Sequence, residues 1–227
     1  MNRLLIIPAR SGSKRIKNKN IKIFYGKPII KYTIDLAKRS KLFKKIHIST
    51  DSQKYLNLVE NLGLKIDFLR PRHLAKDKTT LKEVFFFVNK EYNRLGYNFD
   101  EIWFISSCAP LLKLSDLVNA SKNFSSKKEA FITVSKFPVP IEWAFKITKS
   151  ELLKPLNFRL QNKNSQNFKI HFYDTGIMGA YKSKIVASNF KNFKNKYYSF
   201  EIPFYKGIDV DNLEDWINLK KIYKLIG

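Results

Sequence analysis

Two kinds of apolar pattern alternate along the first half of this 227-residue chain. Four short apolar runs have the composition of buried strands and lie at residues 3–9, 45–49, 64–69 and 101–106. Three longer segments repeat apolar residues at helical spacing and lie at residues 28–39, 53–62 and 80–95. This alternation predicts an α/β fold with a mainly parallel sheet, in which ligands bind in loops at the carboxyl ends of the strands.

The second half of the chain has a weaker pattern. Short apolar runs predict strands at residues 130–135 and 205–210. Asn212 is positioned to cap a final helix over residues 213–225. Residues 137–175 begin with a break at Pro-Val-Pro and then become rich in Asn, Lys and Gln, which indicates an excursion from the domain or an interface arm.

The size and the single cysteine limit the class of protein. A chain with 44% hydrophobic residues can form one domain with a real core, so a single domain over residues 1–227 is expected. Cys108 alone cannot form an intramolecular disulfide and is expected to be a small buried side chain in a reducing compartment. No signal peptide or apolar run of membrane length is visible, so we expect a cytoplasmic location and no membrane partner.

The charge balance is strongly basic, with 43 Lys and Arg against 19 Asp and Glu and a formal net charge of +24. A nucleic-acid-binding domain is one interpretation, and it predicts steeply salt-dependent binding to DNA or RNA. The lysines are spread over nearly every segment, together with abundant Asn, Ile, Phe and Tyr, which indicates a compositional bias. We therefore expect no nucleic-acid partner, although the charge attracts small anions to any cleft.

The most basic segment directly follows the first predicted strand. Residues 6–22, IIPARSGSKRIKNKNIK, contain six basic side chains and no carboxylate. A glycine, backbone N–H groups and cations after a strand are typical of a phosphate-binding loop, although neither GxxxxGK[ST] nor GxGxxG is present. The alternative is a solvated loop in a lysine-rich protein, which we favour for Lys17 and Lys22.

The other side chains of this loop suit contacts with phosphate. Gly12 lets the backbone approach a ligand closely, and the serines on either side of it can donate hydrogen bonds to phosphate oxygens. An arginine can bind two oxygens at once, whereas a lysine supplies a compact charge. The predicted phosphate-binding side chains are Arg10, Ser11, Ser13, Lys14 and Lys19.

A pair of carboxylates late in the chain complements this loop. Asp209 and Asp211 in GIDVD are two positions apart, so extended backbone would direct both side chains to one face. Two like charges on one face repel unless a cation lies beside them, and Mg²⁺ in proteins typically takes one or two carboxylates plus phosphates and water. The alternative is a turn or capping cluster before Asn212. Together with the loop, the pair indicates a nucleoside triphosphate, Mg²⁺ and transfer at phosphorus.

Several segments together resemble the signature of the acylneuraminate cytidylyltransferases, which activate nonulosonic acids as CMP-sugars. Besides the basic loop and the GKPII that follows it, the matching segments are STD (49–51), FLRP (68–71) with LA (74–75) and Asp77, CAPLL (108–112) and GIDVDNLEDW (207–216). The resemblance covers almost the whole chain. Within the family, SKFPVPIEWAF from Ser135 and HFYDTG from His171 are most similar to the pseudaminic acid cytidylyltransferases.

The resemblance implies a three-layer, Rossmann-like nucleotidyltransferase fold with a small dimerisation excursion. It implies a reaction in which CTP and an α-keto sugar acid give a CMP-sugar and pyrophosphate, with Mg²⁺ as cofactor. It also implies a homodimer, with the excursion at residues 137–175 reaching the sugar site of the partner.

The resemblance also implies roles for particular residues. The implied catalytic residues are Arg10, Lys19, Asp209 and Asp211, and the last two would bind Mg²⁺. The implied nucleotide-binding residues are Ala9, Arg10, Ser11, Gly12, Ser13, Lys14, Asn20 and Arg70, with Asn20 and Arg70 near the cytidine. The implied substrate-binding residues are Ser106 and Asp174.

The acceptor sugar stays open at this point. Sialic acid synthetases usually have QPTSPLR where this chain has SSCAPLL, so Ser106 stands in place of a glutamine in a segment that helps to shape the sugar site. The segment from Asp174 also differs from the DAGQFY of the pseudaminic enzymes. Pseudaminic, legionaminic and N-acetylneuraminic acids all remain candidates. A nucleotidyltransferase for 3-deoxy-manno-octulosonate, or a glycosyltransferase that uses its DxD for metal, is the alternative enzyme class.

Overall fold

The computed structural model describes residues 1–124, 128–160 and 163–226. The strands are β1 (Arg3–Pro8), β2 (Ile23–Phe24), β3 (Lys27–Pro28), β4 (Lys45–Ser49), β5 (Glu101–Ile105), β6 (Ala130–Lys136), β7 (Phe145–Ile147), β8 (Leu153–Pro155), β9 (Phe172–Lys182) and β10 (Tyr198–Glu201). The helices are α1 (Ile29–Ser40), α2 (Gln53–Asn61), α3 (Leu81–Arg94), α4 (Leu114–Asn123), α5 (Ser183–Ala187) and α6 (Leu213–Ile226).

The main sheet has six strands in the order β10-β6-β9-β5-β1-β4. β1 pairs in parallel with both β4 and β5, and β10 pairs in parallel with β6. β9 runs antiparallel to its two neighbours, β5 and β6. The prediction of a mainly parallel sheet is therefore confirmed, with one inserted antiparallel strand.

Helices cover both faces of this sheet. Successive side chains of a strand point to opposite faces, and in β1 all four central residues are buried. Leu5 and Ile7 pack in a core with α1, α2 and α4, whereas Leu4 and Ile6 pack in a second core with α3 and α5. The predicted three-layer arrangement is confirmed, and it explains why β1 is apolar without alternation.

The predicted helices of the first half are all present, and α2 and α3 begin at residues whose side chains cap them. Ser52 accepts a hydrogen bond from the backbone of Tyr55 at the start of α2. Thr80 and Glu83 form a reciprocal capping box at the start of α3, which satisfies two backbone donors that the helix itself cannot satisfy. The final helix, α6, is also present, and Asn212 Oδ1 accepts a hydrogen bond from the backbone of Asp215 as predicted.

The predicted strand at residues 64–69 is wrong. This segment is extended coil, although Ile66 is buried and Phe68 packs on the core. β4 is the last strand of the sheet on this side, and the segment leaves its edge before a ladder forms. At its end the Arg70 N–H donates to the Thr50 carbonyl at 2.7 Å. Its apolar residues therefore reflect packing without strand pairing.

The predicted strand at residues 205–210 is also wrong. Residues Phe204–Gly207 form a 3₁₀ turn, and residues 208–211 continue as coil. A Cβ on Gly207 would lie 2.6 Å from Thr175 Cγ2 and 3.1 Å from Ser135 Oγ. The backbone thus passes close over β9 and β6, which requires glycine and leaves no room for a paired strand.

Several elements of the second half carry no clear local signal. α4, the eleven-residue β9 and the short β10 were not expected from the periodicity. β9 contains Gly176 and Gly179 and lies between β6 and β5, so its position depends on pairing with distant strands. A Cβ on Gly179 would lie 2.6 Å from the ring of Phe104, which shows how closely β9 approaches β5.

Residues 137–175, here called the arm, contain the small hairpin β7–β8 and two 3₁₀ turns as well as the start of β9. Many apolar side chains of its described residues are exposed, among them Ile147, Leu152, Leu153, Leu156 and Phe158. The break predicted at residues 137–140 is present as bends between β6 and a 3₁₀ turn. The single domain with an excursion stays a prediction.

No helix in the described ranges is long and apolar enough to cross a membrane. Cys108 is buried, as expected, and burial raises the pKa of its thiol to about 11, which disfavours the nucleophilic thiolate. The cytoplasmic location stays a prediction.

Candidate active site

A cavity of about 620 Å³ opens at the carboxyl ends of β1 and β5. Its walls come from the basic loop after β1, the turn before α3, the residues after β5 and the segment before α6. Nine of the residues predicted from the sequence line this cleft: Arg10, Ser13, Lys14, Lys19, Asn20, Arg70, Ser106, Asp209 and Asp211. The fold therefore brings the cationic loop and the two late carboxylates to one site.

Four predicted residues lie outside the wall of this cleft. Ala9 is fully buried, and its N–H donates to the Ser49 carbonyl at 2.9 Å, so it extends the pairing of β1. A Cβ on Gly12 would meet nothing within 4 Å, so open space for a ligand surrounds it. The other two are Ser11, which contacts Asp51, and Asp174, which lines a different cavity.

Ser11 holds the basic loop to the neighbouring strand. Its backbone N–H and its hydroxyl donate to the two carboxylate oxygens of Asp51, both at 2.8 Å. Partial burial opposes ionisation of Asp51, but the two hydrogen bonds from Ser11, with smaller effects of the Asp51 backbone N–H and of Arg70, lower the pKa of that carboxyl. The Ser11 hydroxyl thus positions the loop, and its proton is already donated to Asp51.

Asn20 stabilises the same loop from inside. Its Nδ2 donates to the Arg10 carbonyl at 2.8 Å, and its Oδ1 accepts from the Ser107 hydroxyl at 2.7 Å. Asn20 is buried and borders the cleft. One amide N–H beyond these two contacts is left for a ligand.

Lys19 joins the loop to the late carboxylates. Its ammonium group donates to the Val210 carbonyl and lies 3.5 Å from Asp211 Oδ1. Arg15 Nη2 lies 3.0 Å from Asp211 Oδ2. Asp211 therefore has two cationic partners from the basic loop.

Asp209 differs from Asp211 because no hydrogen bond or ion pair is found for its carboxylate among the described residues. Solvent reaches it, yet the cleft walls exclude part of the surrounding water. This desolvation raises the pKa of Asp209, opposed by Lys19 and increased by Asp211 and Asp215. A cation bound beside Asp209 would therefore stabilise its ionised carboxylate.

Asp215 orients the segment that carries this pair. Its Oδ2 accepts hydrogen bonds from the backbone N–H groups of Asp211 at 2.8 Å and Asn212 at 2.9 Å. Asn212 returns a contact to the Asp215 backbone, and together they form the cap of α6. The helix packs through Trp216 on Phe24, so the cap has a rigid support.

The chemistry of this pair fits a hard divalent cation. In residues 1–124, 128–160 and 163–226 no group of three or more His, Cys, Asp or Glu side chains could hold a metal ion. Two carboxylates, one of them without a partner among the residues that the structure describes, match the ligand set with which Mg²⁺ binds phosphates. Asp209 and Asp211 are the side chains that could hold it.

Arg70 is a buried cation at the edge of the cleft. Its Nε donates to Ser49 Oγ at 3.0 Å and its Nη2 to the Ser49 carbonyl at 2.6 Å. Burial lowers the pKa of its guanidinium to about 10, opposed by the nearby Asp51. The side chain stays charged at neutral pH and is held rigidly at the carboxyl end of β4.

Arg10 and Lys14 share a carboxylate that the sequence did not single out for a role. Arg10 Nη1 lies 2.7 Å from Asp77 Oδ1, and Lys14 Nζ lies 2.7 Å from Asp77 Oδ2. These hydrogen bonds lower the pKa of Asp77 to about 2, and the one from Lys14 has the larger effect. The residue lies in the turn between the 3₁₀ turn Arg72–Ala75 and α3.

The two residues predicted to bind the sugar substrate lie in different places. Ser106 borders the main cleft, its Oγ accepts from the Cys108 N–H at 3.2 Å, and its carbonyl accepts from Thr33 Oγ1 at 2.9 Å. Asp174 lines two adjoining cavities of about 370 and 380 Å³, one of which it shares with Asp209. Its Oδ1 accepts from the Gly176 N–H at 2.9 Å.

Sequence reasoning missed the residues that position the site. Asp51 and Asp77 belong to segments noted for their resemblance, and that was the only available signal. Asp215 belongs to the matching segment GIDVDNLEDW and was not predicted as a support for Asp211. Ser107 had no signal, because its role depends on Asn20, 87 positions away.

Comparison with solved structures identifies the class of this fold. A synthetase of CMP:2-keto-3-deoxy-manno-octonic acid, solved with CTP, superposes with a TM-score of 0.75 over 99% of both chains at 13% sequence identity. The fold is therefore that of the nucleotidyltransferases. The chain belongs to the cytidylyltransferase family, whose model matches residues 4–214. It is an enzyme of the nucleotidyltransferase type.

Curated relatives extend over nearly the whole chain. A pseudaminic acid cytidylyltransferase of Campylobacter jejuni is 28% identical over 226 residues, which is 99% of this chain and 97% of the relative. A CMP-N,N'-diacetyllegionaminic acid synthase of Legionella pneumophila is 25% identical over 99% of this chain and 97% of the relative. The family predicted from the sequence is confirmed.

Proposed function

We propose that this chain transfers the cytidylyl group of CTP to a nonulosonic acid, giving a CMP-sugar and pyrophosphate. The observation that carries the proposal is the single cleft in which the basic loop meets Asp209 and Asp211, in a chain of the cytidylyltransferase family. Cations for a triphosphate and carboxylates for a metal are the groups this transfer requires.

The proposed reaction exchanges one bond at phosphorus for another. The anomeric hydroxyl oxygen of the sugar acid attacks the α-phosphorus of CTP, and the bond from that phosphorus to the bridging oxygen of pyrophosphate breaks. In this proposal the hydroxyl proton is released to solvent, and no side chain acts as its base. Electrostatic stabilisation and alignment therefore supply most of the rate enhancement.

Several side chains of the site have proposed roles in this transfer. Arg10 and Lys14 contact the β- and γ-phosphates, and Arg10 stabilises charge on the leaving pyrophosphate. Lys19, which contacts Val210 and Asp211, does the same. Asn20 and Arg70 border the base of the nucleotide. Ser13 and the open space beside Gly12 let the backbone approach the phosphates.

We propose Mg²⁺ as the cofactor, held by Asp209 and Asp211. When bound, it would neutralise phosphate oxygens and act as a Lewis acid at the transferred group. Lys19 holds the Asp211 carboxylate, and Asp215 holds the backbone of the segment that carries both aspartates.

We propose pseudaminic acid or a close relative as the acceptor, with legionaminic and N-acetylneuraminic acids as alternatives. The support is the relative from Campylobacter jejuni, together with the similarity of the segments from Ser135 and His171. Ser106 faces the cleft with a short hydroxyl side chain, which leaves more space than the glutamine of sialic acid synthetases. Asp174, beside Asp209, would meet a polar group of the sugar.

We also propose a homodimer formed through the arm. Its described residues expose Ile147 and Phe158 by 74% and 83%, so a large part of their apolar surface is unprotected in the monomer. Several large exposed apolar side chains in one segment are a feature that a protein interface would cover. We propose no nucleic-acid partner, because the basic loop is used within a cleft of small-molecule size.

The test is pyrophosphate release with CTP and Mg²⁺ against a panel of acceptors. The panel contains pseudaminic, legionaminic and N-acetylneuraminic acids and 3-deoxy-manno-octulosonate. We expect turnover with a nonulosonic acid and none with ATP, GTP or UTP in place of CTP. If only 3-deoxy-manno-octulosonate supports turnover, it replaces the proposed acceptor. If no acceptor of the panel supports pyrophosphate release, the proposed reaction is contradicted.

A further inference from the structure

One carboxylate already neutralises two of the cations that the proposed function assigns to phosphate. The two oxygens of Asp77 each lie 2.7 Å from a different partner, Arg10 Nη1 and Lys14 Nζ. Arg10 Nη1 also donates to the Ala75 carbonyl at 3.3 Å, which joins the arginine to the same turn. The basic loop is thus linked to the turn before α3 through charge-assisted contacts.

A carboxylate and a phosphate compete for the same donors. Arginine and lysine bind both groups through charge-assisted hydrogen bonds to paired oxygens. Asp77, Arg10 and Lys14 all line the main cleft, so a triphosphate that contacts the two cations meets the carboxylate there. Two anions this close repel each other, and the triphosphate carries more charge.

Asp77 can move away without any disruption of the fold. Its side chain is 51% exposed and lies in a turn. The turn is anchored on one side by the hydrogen bond from Arg70 to the Thr50 carbonyl and on the other by the capping box of α3. The exposure of Asp77 leaves room for a change of side-chain rotamer, which would release both cations.

We propose that Asp77 is a displaceable counter-ion, which holds Arg10 and Lys14 in place until the triphosphate of the nucleotide replaces it. The inference rests on the proposed function, because it takes the basic loop as the polyphosphate site. It makes Asp77 a positioning residue that lowers the affinity for polyphosphate and promotes the release of pyrophosphate. The low pKa of Asp77 keeps the counter-ion charged at every pH of an ordinary assay, so a competing anion and not protonation releases the cations.

The test compares Asp77→Asn with a matched control in calorimetric titrations of CTP and of inorganic pyrophosphate. Asp35→Asn is the control, because Asp35 also contacts two cations, Lys27 at 3.4 Å and Lys31 at 2.9 Å, and does not line the main cleft. It removes the same charge from a similar contact. Asp77→Glu is a second variant that keeps the carboxylate.

We expect Asp77→Asn to bind pyrophosphate roughly three- to tenfold more tightly than the wild type, the size expected when exposed ion pairs no longer compete. The pyrophosphate affinities of Asp35→Asn and Asp77→Glu should stay within about twofold of that of the wild type. In turnover assays, Asp77→Asn should show stronger product inhibition by pyrophosphate. Unchanged or weaker pyrophosphate binding in Asp77→Asn would overturn the inference.

These titrations need no acceptor, so the two proposals can fail separately. If Asp77→Asn binds pyrophosphate more tightly but no acceptor supports turnover in the wild type, the counter-ion stands and the proposed reaction fails. If the wild type turns over a nonulosonic acid and Asp77→Asn binds pyrophosphate as the wild type does, the reaction stands and the counter-ion fails.

Discussion

Lys19 and Asp211 lie 192 positions apart in the sequence, and their side chains meet in the cleft with Lys19 Nζ 3.5 Å from Asp211 Oδ1. The same ammonium group donates to the carbonyl of Val210, the residue between the two late aspartates. The contact connects the proposed phosphate site to the proposed metal site. A cation in this position also reduces the repulsion between Asp209 and Asp211 before a metal binds.

Asp209→Ala should abolish catalysis without any loss of fold. We expect CTP-dependent pyrophosphate release to fall by at least ~100-fold, since a charge-stabilising group at the transferred phosphate is removed. The carboxylate has no protein partner among the described residues and its pKa is raised, so its removal should not lower the midpoint of thermal unfolding. Glu60→Gln, at an exposed carboxylate of α2, is the control. Full activity in Asp209→Ala would show that the metal assignment is wrong.

Asp51→Asn should loosen the basic loop and raise KM for CTP. The charged acceptor of two Ser11 hydrogen bonds is lost, so we expect KM to rise ~10-fold and the free energy of unfolding to fall by about 1–3 kcal/mol. Ser11→Ala removes only the hydroxyl contact and should have a smaller effect on both. Steady-state kinetics and urea unfolding of the two single variants and the double variant measure the coupling. Additive effects would contradict the proposed contact between Ser11 and Asp51.

His47 should contribute to the loss of stability in acid. Burial lowers the pKa of His47 to about 3, against the opposing effect of Asp67, whereas the unfolded chain has a value near ~6.5. Between these values the unfolded chain binds a proton that the folded protein does not. The contribution is therefore fully present above pH ~6.5 and is lost as the pH falls, by up to about 1.4 kcal/mol per pH unit.

The variant that tests this is His47→Phe, whose ring can stack on Phe68 as the imidazole does at 4.5 Å. It loses the hydrogen bond to Tyr92 at 3.1 Å, so it should be somewhat less stable at neutral pH. Its drop in unfolding free energy between pH 7.5 and pH 5 should be smaller than that of the wild type by about 2 kcal/mol. His73→Gln, at an exposed histidine, should leave the drop unchanged. Equal pH dependence in His47→Phe would show that His47 is not the source.

The arm should control the oligomeric state. We expect light scattering at micromolar concentration to give twice the chain mass for the wild type. Phe158→Asp places a charge on an apolar side chain that is 83% exposed, and it should shift the protein to monomer. Leu225→Asp changes a side chain that is 81% exposed on α6, outside the arm, and should leave the dimer intact. A wild-type monomer would contradict the proposed interface.

Local periodicity was sufficient for the main strands and the helices of the first half of the chain. β1, α1, β4, α2, α3 and β5 were all expected within one or two residues of their observed bounds, because their apolar periods reflect burial against adjacent elements. The strands predicted at residues 64–69 and 205–210 are wrong because an apolar run becomes a strand only when a neighbouring edge pairs with it. Residues 64–69 leave the edge of β4 before a ladder forms, and the backbone at Gly207 passes too close to Thr175 and Ser135 for pairing.

The chemistry of the site was visible in the sequence. The basic loop directly follows β1 and the aspartate pair directly precedes α6, so local sequence alone placed each group at the end of a regular element. Their partners were not visible. Asp51 for Ser11, Asp77 for Arg10 and Lys14, and Asp211 for Lys19 come from segments brought together by the order of the sheet, and no local period encodes that order. The residue types thus follow from the chain, whereas the ion pairs and hydrogen bonds that give each side chain its position depend on distant backbone segments meeting in three dimensions.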